Sequence, residues 1–177
     1  GSEYTSQTVR CDRILSDGDQ LQLGKQEWTV LITPGHHPGH ICLSSPAGIV
    51  AGDMVAGIGT ILIPPGTGNM DVYIEQLERL RELKPHLLFP SHGPVIPLPE
   101  RTLSYYIKHR KQRHQKVLEA VEFGHKTISA IASMAYSDSP DAHPGLAQDQ
   151  TLAHLLSHQR MGLVEQQSNE WNRRGVE

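Results

Sequence analysis

Thr33-Pro-Gly-His-His-Pro-Gly-His40 is the stretch from which the fold of this chain can be worked out. It follows an apolar, β-branched run at 28–33 and precedes a second apolar run at 41–43. A strand therefore delivers three histidines into a loop. Proline restricts φ and glycine frees it, so the backbone of this loop is neither helix nor strand. The stretch predicts a strand–loop–strand unit with imidazoles at a strand end.

Two further apolar runs end in loops of the same kind. Ala51-Gly-Asp53 closes the run 48–51, and Ser91-His-Gly-Pro94 follows the run 87–90. Loops at strand ends are where α/β folds usually hold their chemistry. His36, Asp53 and His92 would converge if the three strand ends met at one edge of a sheet.

Imidazole and carboxylate groups are common ligands of zinc and related ions. A carboxylate between two histidines has lone pairs for two metals. Each of these residues alone is more often an ordinary loop or turn residue. Because the pattern occurs three times, the residues alone support a metal site and an ordinary set of loops about equally.

The composition is that of an ordinary globular protein. The chain has 177 residues, 37% of them hydrophobic and 20% charged, and a net charge of −3. Such a charge gives no overall attraction to nucleic acid or anionic membranes. No apolar run is long enough to span a membrane. Cys11 and Cys42 are far apart, and Cys42 lies in an apolar run. We therefore expect reduced thiols, a cytoplasmic protein and no membrane partner.

The chain divides at Pro97-Leu-Pro99 into two parts, 3–97 and 98–177. In the first part the pattern predicts strands at 19–23, 28–33, 41–45, 48–52 and 87–90 and a helix over 72–83. The segment Val55 to Gly68 is rich in Gly and Pro. It is predicted to be an ordered loop near the site or a mobile flap.

The second part is predicted to hold three helices and a hairpin. The helices are expected at 102–123, from 127 or 129 to about 136, and at 146–161, with the hairpin around Ser168-Asn169. This is the element order of a winged-helix domain.

The first helix of the second part is basic from 101 to 116. Lys108, Arg110, Lys111 and Arg113 are candidate contacts for nucleic-acid phosphates. The alternative, which we favour, is a solvated helix face.

His154 and His158 lie four residues apart on the predicted last helix, a spacing that can hold a metal. The glutamate of a zincin motif is missing between them. We interpret them as ordinary helix histidines.

The three loop motifs resemble the second half of the metallo-β-lactamase superfamily. Thr33-Pro-Gly-His-His-Pro-Gly-His40, Ala51-Gly-Asp53 and Pro90-Ser-His-Gly-Pro94 carry the resemblance, in that order. The segments 57–60, 69–77, 105–110 and 152–156 are similar to the lactamase-beta-like branch, which is related to hydroxyacylglutathione hydrolase. The resemblance implies an α/β (α+β) fold. The implied fold is the C-terminal half of an αββα sandwich followed by a small helical winged-helix-like domain.

The resemblance also implies roles at the site. His36 would bind a first metal, Asp53 would bridge two metals, and His92 would bind the second. Zinc is the expected ion, with other divalent metals as alternatives. His40 matches a recurrent histidine that supports the ligands without binding metal. No residue is assigned a catalytic role of its own. His37 stands where the family pattern usually has Thr. It is an extra ligand or, as we favour, a solvent-facing residue.

One motif of the family, Thr-His-x-His-x-Asp-His, is absent, and no His-x-His occurs in the chain. This motif supplies the remaining metal ligands, so we expect a fragment that is inactive alone. Half of a sandwich leaves a sheet face and an edge strand uncovered, and such surfaces associate. The expected partner is the missing N-terminal half or a second copy of this chain.

The parent protein is then expected to be a metal-dependent, di-zinc hydrolase. It would act through metal-bound hydroxide on an ester, thioester or related bond of a small-molecule substrate. One alternative is an endoribonuclease on single-stranded RNA. The other is a non-catalytic winged-helix binding module beside an incomplete hydrolase half.

Overall fold

The computed structural model describes residues 11–175 of the chain. The first part contains strands β1 (Gln20–Leu23), β2 (Gln26–Ile32), β3 (Ile41–Ser45), β4 (Gly48–Gly52) and β5 (Leu88–Pro90), with helix α1 (Met70–Glu82) between β4 and β5. The second part contains helices α2 (Pro99–Glu122), α3 (Ile128–Ala135) and α4 (Pro144–Arg160), followed by strands β6 (Val164–Gln167) and β7 (Glu170–Arg173). The predicted mixed α/β fold is confirmed.

Strands β1 to β5 form one sheet in sequence order. Neighbouring strands are antiparallel except β4 and β5, which are parallel. As a result β2, β4 and β5 all run in the same direction. Their carboxyl ends, after Ile32, Gly52 and Pro90, therefore lie at one edge of the sheet. This is the arrangement needed to bring the three loops together.

The main core lies between the sheet and helices α1 and α2. The sheet contributes Leu31, Cys42, Ile49, Ala51 and Leu88, and α1 contributes Tyr73, Ile74, Leu77 and Leu80. Tyr73 is fully buried, and its hydroxyl donates a hydrogen bond to the Met54 carbonyl oxygen at 2.7 Å. Helix α1 is thereby joined to the loop that follows β4.

The loop from 53 to 69 packs against this core. Met54, Val55, Ile61 and Ile63 are buried, although the loop has no regular secondary structure. Of the two predictions for this segment, the structure therefore agrees with an ordered loop near the site.

The opposite face of the sheet carries an apolar row. Strand pairing places Val30, Leu43, Val50 and Phe89 side by side across four strands. Side chains alternate between the two faces of a strand, so this row points away from the core of α1 and α2. Val50 is 38% exposed. Val30 is fully buried, and none of the four residues belongs to the core cluster that the sheet forms with α1 and α2.

We expect the isolated chain to self-associate through this face, because burying apolar surface is favourable. Changing Val50 to Lys should raise the dissociation constant at least about tenfold, the equivalent of roughly 1.4 kcal/mol. Sedimentation equilibrium would measure it. Leu83→Lys is a matched control, because Leu83 is 49% exposed at the end of α1. A monomer at high concentration, or equal effects of both changes, would contradict the expectation.

The second part has its own core between α2, α3, α4 and the hairpin. Its buried residues include Val117, Val121, Ile131, Leu155, Val164 and Trp171. The backbone N–H of Trp171 donates to the carbonyl oxygen of Lys126 at 2.8 Å, which attaches the hairpin to the α2–α3 connection. In residues 11–175, no helix is both long and apolar enough to cross a membrane.

Candidate metal centre

Three side chains meet at the common edge of the sheet. Asp53 Oδ2 lies 3.6 Å from His36 Nε2, and Asp53 Oδ1 lies 3.3 Å from His92 Nε2. The carboxylate therefore stands between two imidazoles, with one oxygen toward each. The predicted convergence is observed, and the role of each residue as a metal ligand stays a prediction.

The contact made by Nδ1 of His36 shows which tautomer the ring adopts. His36 Nδ1 lies 2.8 Å from the Leu62 carbonyl oxygen. A carbonyl oxygen only accepts, so Nδ1 carries the proton and donates. In the neutral ring Nε2 then has a free lone pair, and it is the nitrogen that faces Asp53. Metal-binding histidines are commonly oriented in this way.

His40 has both ring nitrogens occupied. Its Nε2 accepts from the backbone N–H of Asp53 at 2.9 Å. Nδ1 then carries the proton and donates to Thr33 Oγ1 at 2.8 Å. Thr33 is fully buried, and its hydroxyl donates to Cys42 Sγ. His40 therefore has no lone pair free for a metal and instead holds the backbone of Asp53 in place.

Burial lowers the pKa of the His40 imidazole, although the nearby Asp53 carboxylate acts in the opposite direction. The ring is therefore neutral at physiological pH, as its two hydrogen bonds require. Gly52 leaves room for it, because a Cβ at this position would lie 2.5 Å from His40 Nε2.

The loop of His92 is attached to both neighbouring segments. The backbone N–H of Ser91 donates to the Gly52 carbonyl oxygen at 3.0 Å, and the N–H of Gly57 donates to the His92 carbonyl oxygen at 2.8 Å. The imidazole itself is 71% exposed. One side of the site is therefore open.

The donor set fits divalent metals in part. Asp53 Oδ1 is buried and accepts no hydrogen bond. This is costly for a carboxylate oxygen unless a cation occupies the position beside it. Within residues 11–175, however, no group of three or more His, Cys, Asp or Glu side chains forms a metal-ion site. The chain offers one imidazole and one carboxylate oxygen on each side of Asp53, fewer donors than zinc sites use.

His37 lies beside the site but faces solvent. Its Nδ1 accepts from the Gly39 backbone N–H at 3.1 Å. This agrees with the interpretation of His37 as a solvent-facing residue.

Two of the four basic residues predicted to contact phosphates are buried. Arg110 is 2% exposed and donates to the Ile61 carbonyl oxygen and to Gln150 Oε1. Arg113 is 5% exposed and pairs with Asp138 at 2.9 Å. Neither phosphate contacts nor the favoured solvated helix face agrees with the burial of these two residues, because their guanidinium groups are used inside the protein.

The other two basic residues remain at the surface. Lys108 is exposed. Lys111 pairs with Glu78 of α1 at 2.6 Å. Two separate lysines, one already paired, do not form the continuous basic strip that single-stranded nucleic acid needs.

His154 and His158 lie in a buried cluster with His114. His114 Nδ1 is 3.1 Å from His154 Nδ1, and the His114 and His158 rings stack at 3.7 Å. His158 Nε2 donates to the His114 carbonyl oxygen at 2.9 Å. Both α4 histidines are at most 1% exposed. These histidines join α2 to α4, a role that their spacing on one helix did not indicate.

Several residues that support the site could not be identified from the sequence. Thr33 stands out in the sequence only as the start of a motif, and nothing local singles out the Leu62 carbonyl group or Gln150. Their hydrogen bonds join segments up to 87 residues apart. No local pattern could have indicated them.

The fold is α/β, and a carboxylate lies between two imidazoles at one edge of its sheet. These two features indicate an α/β protein with a candidate divalent-metal site. The chain belongs to the metallo-beta-lactamase superfamily, whose family model matches residues 4–92, just over half of the 177 residues. The superfamily includes hydrolases, and its members typically bind metal ions.

Two curated relatives illustrate the similarity. The Beta-lactamase-like protein 2 homolog of Drosophila melanogaster is 33% identical over 116 residues, which are 63% of this chain and 38% of the relative. The Atrochrysone carboxyl ACP thioesterase of Aspergillus fumigatus is 28% identical over 108 residues, 60% of this chain and 33% of that protein. The chain thus spans less than half the length of each.

Solved structures share the fold. A metallo-beta-lactamase family protein from Thermus thermophilus aligns with a TM-score of 0.74 and 23% identity, covering 90% of this chain and 54% of that one. A beta-lactamase domain protein from Burkholderia ambifaria has a TM-score of 0.73 and 24% identity, covering 91% and 52%. Both alignments extend through most of the C-terminal helices of this chain.

Proposed function

We propose that this chain carries one half of a two-metal hydrolase site. His36 binds one metal, Asp53 bridges both, and His92 binds the other. Zinc is the proposed ion. The remaining ligands come from a first half of the fold, supplied by a longer form of the protein or by another polypeptide.

The single observation that carries the proposal is the position of Asp53. Its two oxygens face two different imidazole nitrogens, and Oδ1 is buried without a hydrogen-bond partner. A buried carboxylate oxygen without a donor is costly, and a cation beside it would remove that cost. Divalent ions held there would supply Lewis acidity, polarising a carbonyl group and acidifying a water molecule.

For the reaction we propose hydrolysis of an ester or thioester of a small molecule. The named thioesterase among the relatives supports a thioester. This chain's own residues would hold the two ions on either side of the Asp53 carboxylate.

Neither alternative function is supported by a specific observation. The arginines proposed to bind RNA are buried. Helix α4 would be the DNA-reading helix of a winged-helix domain, but eight of its residues are buried, against neighbours that include α1. The face of α4 that stays exposed carries Asp149 and has no Lys or Arg before Arg160, which pairs with Asp71, so it offers little attraction to phosphates.

The test is a zinc titration of the chain followed by NMR of the histidine rings. We expect weak binding that shifts Nε2 of His36 and of His92, because each ion has at most two donors from this chain. Asp53→Asn should weaken binding at least about tenfold, since even residues outside the ligand set contribute that much.

His37→Gln is the matched control, because His37 lies next to His36 but faces solvent. It should leave the zinc shifts unchanged. Tight binding that survives Asp53→Asn, or that disappears with His37→Gln, would overturn the proposal.

A further inference from the structure

A short segment, 61–63, connects the metal-site loop to the C-terminal helices. Ile61 and Ile63 are buried, whereas Leu62 between them is 38% exposed. The carbonyl oxygen of Leu62 accepts from His36 Nδ1. The orientation of the His36 ring therefore depends on where this one peptide group lies.

The peptide groups on both sides of Leu62 are held by side chains of the C-terminal helices. Gln150 of α4 donates from Nε2 to the Ile63 carbonyl oxygen at 2.9 Å and accepts at Oε1 from the Ile63 N–H at 3.2 Å. Arg110 of α2 donates to the Ile61 carbonyl oxygen. Backbone groups of this segment are therefore hydrogen-bonded to side chains of α2 and α4 rather than to a neighbouring strand.

The two side chains also hold each other. Arg110 Nη1 donates to Gln150 Oε1 at 3.1 Å, and both residues are at least 93% buried. Arg110 in addition lies 5.6 Å above the Tyr73 ring. Because every one of these groups is out of water, a lost bond leaves an unpaired buried group. The arrangement has little freedom to shift.

We infer that Gln150 and Arg110 are positioning residues that set the tautomer and orientation of His36 through the Leu62 carbonyl group. They hold the Leu62 oxygen where it accepts from Nδ1, and this leaves the His36 Nε2 lone pair directed at the metal position beside Asp53. The metal part of this inference rests on the proposed function. The tautomer part does not, since it concerns the chain without metal.

The test is the Gln150→Met variant, which keeps side-chain length but removes both bonds to Ile63. Nitrogen-15 NMR of the imidazoles, at a pH where they are neutral, reports which nitrogen carries the proton. The unchanged chain should show His36 protonated at Nδ1. The variant should show a mixture of both tautomers and bind zinc about tenfold more weakly.

Gln148→Met is the matched control, a glutamine two residues earlier on the same helix and only partly buried. It should leave the tautomer and the zinc affinity of His36 unchanged. The tautomers of His40 and His92 should stay the same in both variants, which separates a local effect from a general loss of structure.

The possible outcomes distinguish the positioning of His36 from the proposed metal function. If His36 of the unchanged chain carries its proton on Nε2, the inference is overturned even if no variant folds. It is also overturned if Gln150→Met folds and His36 stays protonated at Nδ1. If the tautomer responds but zinc does not shift His36 Nε2, the positioning stands and the proposed metal function fails.

Discussion

Lowering the pH from about 6.5 to about 5 should sharply reduce the free energy of unfolding of this chain. The main cause is the cluster of His114, His154 and His158, and His40, whose pKa burial also lowers, acts in the same direction. Burial lowers the pKa of His114 to about 4, with the neighbouring His158 acting in the same direction. Burial also lowers the pKa of His154 and of His158.

The direction in which the free energy of unfolding changes with pH follows from proton uptake. In the unfolded chain each imidazole has its ordinary pKa of 6.5, whereas in the folded chain it resists protonation. Between these values the unfolded state binds more protons, so stability falls as the pH falls. For His114 the contribution is up to about 1.4 kcal/mol per pH unit, or up to about 2 kcal/mol between pH 6.5 and 5, and His154 and His158 act in the same direction. Below about 4 the contribution of His114 levels off.

Other charged groups around the cluster do not cancel this effect. Asp71 favours the charged form of His114 and His158, and Glu122 favours that of His158. Arg110 and Arg113 oppose the charged form of His154, and Arg173 opposes that of His158. In every case burial is the largest cause of the shift. The carboxylate of Asp138, whose pKa is lowered by Lys116 and Arg113, loses its stabilising effect only as the pH falls below the ordinary value of 3.8.

Urea unfolding at a series of pH values would measure the slope. His154→Leu removes one buried imidazole and should reduce the slope by up to about 1.4 kcal/mol per pH unit. His86→Leu is the matched control, because His86 is exposed in the loop before β5. Equal slopes for His154→Leu and the unchanged chain would show that the cluster does not determine the acid response.

Changing Gly35 to Ala should destabilise the chain by about 3–5 kcal/mol. Gly35 has φ of +137°, and a Cβ there would lie 2.4 Å from Tyr73 Cα and 2.6 Å from Tyr73 Cβ. Tyr73 is fully buried in the first turns of α1 and cannot move aside cheaply. The carbonyl oxygen of Gly35 also accepts from the Asn69 N–H at 2.7 Å. The loop of His36 would have to separate from α1.

Gly18→Ala separates the two causes of this cost. Gly18 also has a positive φ, +85°, but a Cβ there would meet no atom within 4 Å. Its change to Ala should cost about 1–2 kcal/mol, the backbone contribution alone. Denaturant unfolding of both variants gives the comparison. Similar losses would mean that the contact of Gly35 with Tyr73 is unimportant.

Local sequence determined the elements of this fold and the position of its site. Short β-branched runs predicted the strands, and the Gly- and Pro-containing loops that follow them predicted where His36, Asp53 and His92 would appear. The convergence of these residues could be predicted because strands that run in one direction end at one edge of a sheet. Each of these signals depends on residues close together in the chain.

Tertiary structure alone decided what the polar residues of the helices do. Arg110 and Arg113 belong to a basic run that suggested a surface, yet they are buried. Helical spacing shows which residues share a face, but it does not show whether carbonyl oxygens from elsewhere cover that face. A buried guanidinium group is stable only with such acceptors. Arg110 finds one at Ile61, 49 residues away.

The same reason explains the histidine cluster and the support of His36. His114 meets His154 across 40 residues, and Gln150 holds Ile63 across 87. Hydrogen bonds act over about 3 Å and carry no trace in the local pattern of the sequence. The sequence therefore determined which residues stand at the ends of the strands, and the packing of the helices determined which groups orient them.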